Sequence, residues 1–356
     1  MSKYAILVHN DSYIVNIQGG NMKRIRLIYS LLIISFITAL GFSIYFYEHV
    51  QTINQEMEKV YSPEVTLPKY HFVLIVEEME HEYWQLIGEG AKDAGQKYDV
   101  LVEYIGPERS NTEEQLKLFD KAIKSKVDGI IVQGLNENFT DMINKAERQE
   151  IPVVTIDTDS PESMRHAYIG SDNYMAGQLA GKALVEDTNG LATVGIITGS
   201  LDNPHHLERL KGFKDVVEQE EDIKIVAVEE SKITRVDVEE KAYNILTEHE
   251  NITAFFGTSS YNGIGIVSAA NSLQRENDMY VITFDTIDEN MELLKNGDIG
   301  AIVEQHPFEM GYLSVEKMID IMNGKQTKEI THTNSSIIRK TSLDIEETMV
   351  VPNDKN

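Results

Sequence analysis

Two aspartates end repeated apolar segments of the sequence. Ile151-Pro-Val-Val-Thr-Ile-Asp157 parallels Met279-Tyr-Val-Ile-Thr-Phe-Asp285, and residues 127–132 parallel residues 252–257 in the same way. Ligands bind at the carboxyl ends of strands in open parallel sheets, and carboxylates accept hydrogen bonds from hydroxyl groups. The repeat therefore predicts two similar halves that bring both aspartates to one hydroxyl-binding cleft. Helix capping is the alternative use of an aspartate at each place.

The elements that position these carboxylates alternate along the chain from about residue 70. Short continuous apolar runs are separated by amphipathic segments, a pattern typical of parallel sheets covered by helices on both faces. The doubly wound α/β layout follows from right-handed crossovers. The predicted strands are 71–76, 100–105, 129–132, 152–156, 166–169, 193–197, 223–228, 254–256, 280–284 and 301–303. The predicted helices are 83–97, 112–126, 138–150, 174–186, 205–218, 236–249, 263–271, 288–296 and 308–323.

Composition excludes several classes of protein. Asp and Glu number 58 against 32 Lys and Arg, and the net charge of −26 repels nucleic acid. The absence of cysteine excludes disulfides, thiolate metal sites, cysteine nucleophiles and a lipidated cysteine. Phosphate-binding loops and the G-x-S-x-G nucleophile motif are also missing. The neighbouring His205 and His206 point in different directions on a helix and have no third ligand at a useful spacing. We therefore expect no metal, no cofactor and no catalysis.

An uncharged apolar run, Leu27–Tyr47, predicts one transmembrane helix. At 1.5 Å per residue its length matches a hydrocarbon core of about 30 Å. Three basic residues between 23 and 26 precede it, so residues 1–26 are expected in the cytoplasm and the rest outside the cell membrane. A cleaved signal peptide is the alternative, but the run is long and bulky residues stand where small ones are needed for cleavage.

The residues on either side of this run have their own interpretation. Met22 followed by basic residues is a typical beginning for a membrane anchor, so we expect translation to start there and residues 1–21 to be an upstream extension. Residues 48–69 are polar, with apolar residues at helical spacing before Pro63 and Pro68 stop any helix. They predict a juxtamembrane stalk.

The whole of residues 70–350 resembles the type I periplasmic binding proteins, specifically the ribose- and galactose-like sugar receptors. The motifs that carry the resemblance, in order, are Asp128-Gly-Ile-Ile-Val132, 151–157, Ile169-Gly-Ser-Asp-Asn173, Gly177 to Gly181, Arg209-Leu-Lys-Gly-Phe213, Phe284-Asp285 and Gln305-His-Pro-Phe-Glu-Met-Gly311. The resemblance implies two doubly wound, Rossmann-like lobes joined by a three-segment hinge near residues 171–172, 305–306 and 334. Lobe 1 would hold 70–171 plus 306–334, and lobe 2 would hold 172–305 plus 335–350. Ligand would close the lobes by a hinge motion.

The resemblance also implies the ligand contacts. Tyr83 and Trp84 occupy the places of two aromatics that stack on a sugar ring. The positions that hydrogen-bond sugar hydroxyls hold Gln133, Asp157, Arg209, Asp285 and Gln305. Amides, carboxylates and a guanidinium suit hydroxyls, which both donate and accept.

Departures from the ribose-type pattern argue for a ligand other than ribose. Thr158 replaces an arginine, Ser259 an asparagine, and Ile233 an aromatic residue. Glu77 and His81 stand in an acidic segment where the ribose pattern has small polar residues. Because Glu77 is expected near Asp157, an amino-bearing sugar is one hypothesis. A monosaccharide or similar polyol fits the remaining contacts.

These features predict a membrane-anchored, extracytoplasmic binding protein with no enzymatic activity. The anchor favours signalling to a sensor histidine kinase, and the substrate-binding subunit of an ABC-type importer, working with its permease, is the alternative. A DNA-binding regulator of the same fold is excluded because the apolar run occupies the place of its helix-turn-helix. A glycosidase that uses Asp157 and Asp285 is the remote alternative.

Overall fold

The computed structural model describes residues 11–60, 68–232, 234–275 and 278–343. Side chains are described there except at 11–23, 25 and 54–60. The chain divides into two units, Met1–Leu67 and Pro68–Asn356.

The first unit contains one long helix, α1 (Asp11–Val60). Within it Arg26–Ile53, 28 residues with a mean hydropathy of 2.2, is long and apolar enough to cross a membrane, and its side chains are exposed. The helix runs past both ends of the predicted span. In particular it continues without a break through the first part of the predicted stalk, up to Val60.

The second unit alternates strands and helices. The strands are β1 (His71–Ile75), β2 (Leu101–Ile105), β3 (Gly129–Val132), β4 (Val153–Ile156), β5 (Ala167–Ser171), β6 (Ala192–Thr198), β7 (Ile223–Glu230), β8 (Ala254–Gly257), β9 (Tyr280–Phe284), β10 (Ala301–Glu304), β11 (Ile330–Thr333) and β12 (Ser336–Arg339). The helices are α2 (Glu82–Tyr98), α3 (Thr112–Ser125), α4 (Glu137–Glu147), α5 (Asn173–Asp187), α6 (Pro204–Val217), α7 (Arg235–Glu248), α8 (Ser260–Ser272), α9 (Asp288–Asn296) and α10 (Pro307–Met322).

These strands form two six-stranded sheets with the same order. One sheet runs β2-β1-β3-β4-β5-β11 and the other β7-β6-β8-β9-β10-β12. All pairs are parallel except β10 with β12. The repeated segments of the sequence become β3 and β8, and β4 and β9, at equivalent places in the two sheets. The predicted two-lobed, doubly wound fold is confirmed.

The chain passes between the two sheets three times. It crosses from β5 to α5, from β10 to α10, and from β11 to β12. Apolar side chains cover both faces of each sheet: two buried clusters flank the first sheet and two flank the second. Strands buried on both faces explain the continuous apolar runs of the sequence.

Most differences from the predicted boundaries lie at helix ends. Helix α2 begins at Glu82 because the His81 side chain accepts a hydrogen bond from the Tyr83 N–H. Helix α4 ends at Glu147, three residues before the predicted end at 150, because the following turn places Glu150 in a left-handed conformation with a φ of 62°.

Helices α2 and α10 pack together with their backbones in direct contact. A Cβ atom on Gly311 would lie 1.9 Å from the Ile87 carbonyl oxygen, and one on Gly90 would lie 1.9 Å from the Phe308 carbonyl oxygen. No side chain fits at either place without moving a helix. This contact fixes α2, whose first turn carries Tyr83 and Trp84.

We expect Gly311→Ala to destabilise lobe 1 by about 1–3 kcal/mol, because the added methyl group overlaps the backbone of α2. Thermal unfolding of a soluble fragment beginning at residue 68 measures this as a lower Tm. Glu309→Ala, at an exposed position of the same helix, is the matched control. Equal Tm values for the two variants would contradict the packing described here.

Candidate functional site

A small cavity lies between the carboxyl ends of the two sheets. Its volume is about 70 Å³. One buried water needs about 10–15 Å³, so the cavity has room for several waters or part of one small molecule, not for a polymer. The side chains that line it come from both lobes: Glu77, Glu78, His81, Tyr83, Trp84, Ser110, Asp157, His205, His206, Arg209, Ser259, Ser260, Tyr261, Asp285 and Gln305.

Most of the predicted site residues meet here. Nine of them line the cavity: Glu77, His81, Tyr83, Trp84, Asp157, Arg209, Ser259, Asp285 and Gln305. Gln133 and Thr158 do not line it; they are fully buried behind Asp157, and both hydrogen-bond to that carboxylate. Ile233 lies outside the described residues.

The two aspartates share an unusual backbone conformation. Asp157 follows β4 with a φ of 63°, and Asp285 follows β9 with a φ of 70°. Left-handed conformations cost a non-glycine residue about 1–2 kcal/mol, and aspartate is among the few that adopt them. The same turn at both strand ends points each carboxylate into the cleft, as the sequence repeat predicted.

A network on lobe 1 holds the Asp157 carboxylate in place. The Tyr83 hydroxyl donates to Oδ1 at 2.7 Å. The Gln133 amide donates to Oδ2 at 3.0 Å, and the Thr158 hydroxyl donates to the same oxygen at 2.9 Å. Gln133 and Thr158 therefore fix the orientation of the Asp157 carboxylate.

A second network on lobe 2 holds Arg209, which is only 3% exposed. Its Nε donates to Asn173 Oδ1 at 2.8 Å, and its two terminal nitrogens donate to the Thr258 carbonyl at 2.9 Å and to Gln305 Oε1 at 3.0 Å. The Gln305 amide in turn donates to Asp285 Oδ1 at 2.7 Å. Gln305 thus connects the guanidinium to the second aspartate without a direct ion pair.

Close helix packing positions this guanidinium. A Cβ atom on Gly177 of α5 would lie 2.1 Å from the Arg209 carbonyl oxygen. The backbones of α5 and α6 are therefore in direct contact at Arg209. The guanidinium carbon lies 4.0 Å from the centre of the Phe284 ring, a cation–π contact that fixes its plane. Contacts within the protein therefore fix the orientation of the guanidinium.

Tyr83 and Trp84 form an aromatic wall on lobe 1. Their rings meet edge to face, with centroids 5.4 Å apart and an interplanar angle of 89°. Trp84 lies in the first turn of α2, within the helix that the sequence predicted from residue 83. An aromatic ring beside carboxylates and amides can cover the C–H face of a sugar while the polar groups bind its hydroxyls.

The sequence missed two histidines of the cleft. The prediction that His205 and His206 point in different directions is wrong: their ring centroids lie 3.9 Å apart and both line the cavity. His205 Nδ1 lies 2.8 Å from Thr158 Oγ1 on lobe 1, and His206 Nδ1 lies 3.0 Å from Thr258 Oγ1 on lobe 2.

Their position on α6 explains the error. Pro204, at the first helical position, places both histidines in the first turn, one turn before Arg209. Three other missed residues, Glu78, Ser260 and Tyr261, lie within two positions of predicted ones. The fourth, Ser110, is distant in sequence and reaches the site by donating a hydrogen bond to Glu77 Oε1 at 2.7 Å. No group of three or more potential metal-ligating side chains occurs among the described residues.

Burial controls the protonation of the site. Desolvation raises the pKa of Asp285 to about 6, opposed by the charge of Arg209 and the hydrogen bond from Gln305. Desolvation also raises the pKa of Glu77, with a smaller contribution from the charge of Asp157. For His205 and His206, desolvation lowers the pKa well below the ordinary value. Both histidines are therefore neutral at pH 7, and each can donate one hydrogen bond and accept another.

We expect Asp285→Asn to gain stability relative to the wild type as pH rises. A carboxyl group whose pKa is higher in the folded state stabilises the fold when protonated, and that contribution is lost as pH rises through about 6. The asparagine does not ionise. The free energy of unfolding of the variant minus that of the wild type should therefore increase by about 1–3 kcal/mol between pH 4.5 and 7.5. Denaturant unfolding of ligand-free protein checks this. Asp141→Asn, at an exposed site, is the matched control. A difference for Asp285→Asn that does not change with pH contradicts the desolvated state of its carboxyl.

Known proteins share this architecture. A glucose-galactose binding protein, GanP from Geobacillus stearothermophilus, is 50% identical and superposes with a TM-score of 0.76 over 77% of this chain and 98% of its own. The XylFII-LytSN complex matches at 35% identity and a TM-score of 0.72 over 77% and 98%. The ribose import binding protein RbsB of Bacillus subtilis is 23% identical over 257 residues, which are 72% of this chain and 83% of its own. Residues 72–326 match the family described as periplasmic binding protein domain, and the chain belongs to the type I periplasmic binding proteins.

Proposed function

We propose that this chain is a non-enzymatic receptor that binds a monosaccharide between its two lobes. The observation that carries the proposal is the cavity where Asp157, Asp285 and Arg209 meet a wall of two aromatic rings. Carboxylates, amides, neutral imidazoles and a guanidinium satisfy many hydroxyl groups when water is expelled.

We propose an aldohexose of the glucose or galactose type as the ligand. GanP, at 50% identity, is a glucose-galactose binding protein, whereas the ribose-binding relatives share 20–23%. Thr158 and Ser259 also stand where the ribose-type pattern has other residues. The raised pKa of Glu77 favours its neutral form in the cavity, which weakens the electrostatic case for an amino-bearing sugar.

We propose that α1 is an uncleaved membrane anchor and that ligand-induced closure is signalled to a membrane partner, a sensor histidine kinase. The apolar stretch Arg26–Ile53 supports anchoring, and no cysteine offers a lipid anchor. A complex of the similar protein XylFII with LytSN supports assembly with a second protein. The alternative is the binding subunit of an importer, which the name of the ribose import relatives supports.

We expect D-glucose or D-galactose to change the fluorescence of Trp84, the only tryptophan, and to bind residues 68–356 in isothermal titration calorimetry. Arg209→Ala and Asp285→Ala should each weaken binding by about 2–5 kcal/mol, because partner groups stay buried and unpaired. Lys211→Ala, at an exposed position of the same helix as Arg209, is the control. Normal affinity in both site variants contradicts the assignment, and turnover of aryl glycosides that is lost in Asp285→Ala contradicts a purely binding role.

We expect the full chain, isolated from native membranes, to co-purify with a sensor histidine kinase. The amount recovered should depend on the bound sugar, because the sugar changes the relative position of the lobes. Asp285→Ala is the control in which the sugar should have no effect. Co-purification with a permease and an ATPase instead would support the importer.

A further inference from the structure

The first turn of α2 contacts lobe 2 across the cleft. Glu82 on lobe 1 accepts hydrogen bonds from the backbone N–H of Asp288 on lobe 2, with both carboxylate oxygens at 3.1 Å. Asp288 is the first residue of α9. We propose that Glu82 caps α9 in trans and that this hydrogen bond, the closure contact, sets how long the closed lobes retain a ligand.

Helix α9 lacks a capping side chain of its own. Its N-cap residue is Ile287, which is apolar and 5% exposed. By contrast, α3, α4, α5 and α7 are capped by their own preceding Asn, Asp or Thr side chains. The first N–H groups of a helix need acceptors, and its positive end favours a carboxylate. Lobe 1 supplies that acceptor only while the lobes are in contact.

A second hydrogen bond from the same turn crosses the cleft. His81 Nδ1 accepts from the Tyr83 N–H at 3.2 Å, so the proton of the neutral ring is on Nε2. That nitrogen lies 3.2 Å from Ser260 Oγ on lobe 2, and the ring packs 4.8 Å from that of Tyr261. The turn that carries Tyr83 and Trp84 is therefore held to lobe 2 at two adjacent residues.

The charges around the closure contact are balanced in part. Asp288 and Glu289 both lie in the first turn of α9 and repel the Glu82 carboxylate. Arg235 of α7 pairs with Glu289 at 2.5 Å and packs 5.3 Å from the Tyr261 ring. The net free energy by which this contact stabilises the closed lobes is therefore small. A small stabilisation suits lobes that must reopen to release a ligand.

Glu82 does not line the cavity, unlike its neighbours His81, Tyr83 and Trp84. Its effect on a ligand must pass through lobe closure, so it is a positioning residue. Loss of the closure contact should speed the opening of the lobes and leave the encounter with the ligand unchanged.

The test uses two variants, one from each side of the contact. Glu82→Ala removes the acceptor. Asp288→Pro removes the donor, and proline is favoured at the first position of a helix; the extended Ile287 (φ −63°, ψ 152°) suits the residue before it. Glu80→Ala, which removes an exposed carboxylate two residues from Glu82, is the matched control.

The first measurement is stopped-flow binding of D-glucose and D-galactose, which rests on the proposed function. We expect dissociation to be about 3- to 10-fold faster in both variants, the size of a lost helix cap, with association within about twofold of the wild type. The double variant should be no faster than either single one, because both remove the same hydrogen bond. Wild-type dissociation in Glu82→Ala, or additive effects in the double variant, would overturn the inference.

The second measurement needs no ligand and separates the two proposals. We expect the Asp288 amide of ligand-free protein to exchange its hydrogen about 3- to 10-fold faster in Glu82→Ala than in the wild type and Glu80→Ala. Failure of the wild type to bind either sugar would count against the proposed function alone. Equal exchange rates would count against the closure contact whatever the wild type binds.

Discussion

Buried charge is the constraint on which this structure depends. Asp157, Asp285 and Arg209 are all at least nine-tenths buried at the junction of the two lobes, where an unsatisfied charge is costly. Each lobe meets this cost separately: Tyr83 and Gln133 hold Asp157, whereas Asn173 and the Thr258 carbonyl hold Arg209. Hydrogen bonds within the protein therefore hold these charged side chains in place, and side chains that are already ordered lose little conformational entropy when a site is filled.

Glycines allow the close helix packing that positions these charged side chains. In lobe 1, Gly90 and Gly311 let α2 and α10 touch, and in lobe 2, Gly177 and Gly212 do the same for α5 and α6. The first contact positions α2, whose first turn carries Tyr83 and Trp84. The second positions the part of α6 that carries Arg209. The two halves thus share strand order, aspartate conformation and helix packing, as the internal sequence repeat predicts.

The sequence predicted the parts of the fold that follow from local patterns. Buried strands are continuous apolar runs, so the bounds of β3 and β9 were predicted to the residue, and the bounds of the helix α9 were too. The segment repeat located the aspartate of each lobe. His205 and His206 could not be recognised, because their shared direction depends on the first turn of α6 after Pro204. Gln133 and Thr158 were predicted as ligand contacts, and the structure adds that both hydrogen-bond to Asp157, which position in the chain does not reveal.

The distribution of charge between the lobes explains why the cavity needs both of them. Lobe 1 contributes the acidic groups Glu77 and Asp157, and lobe 2 contributes Asp285 and the Arg209 guanidinium. Burial raises the pKa of both Glu77 and Asp285, and the nearby charge of Asp157 adds a smaller contribution to each. Hydroxyl groups suit such a lining chemically, because a hydroxyl hydrogen can bind a carboxylate while its oxygen accepts from a guanidinium or a neutral imidazole. The carboxylates thus come from both lobes and the Arg209 guanidinium from lobe 2, so neither lobe by itself presents the full set of donors and acceptors.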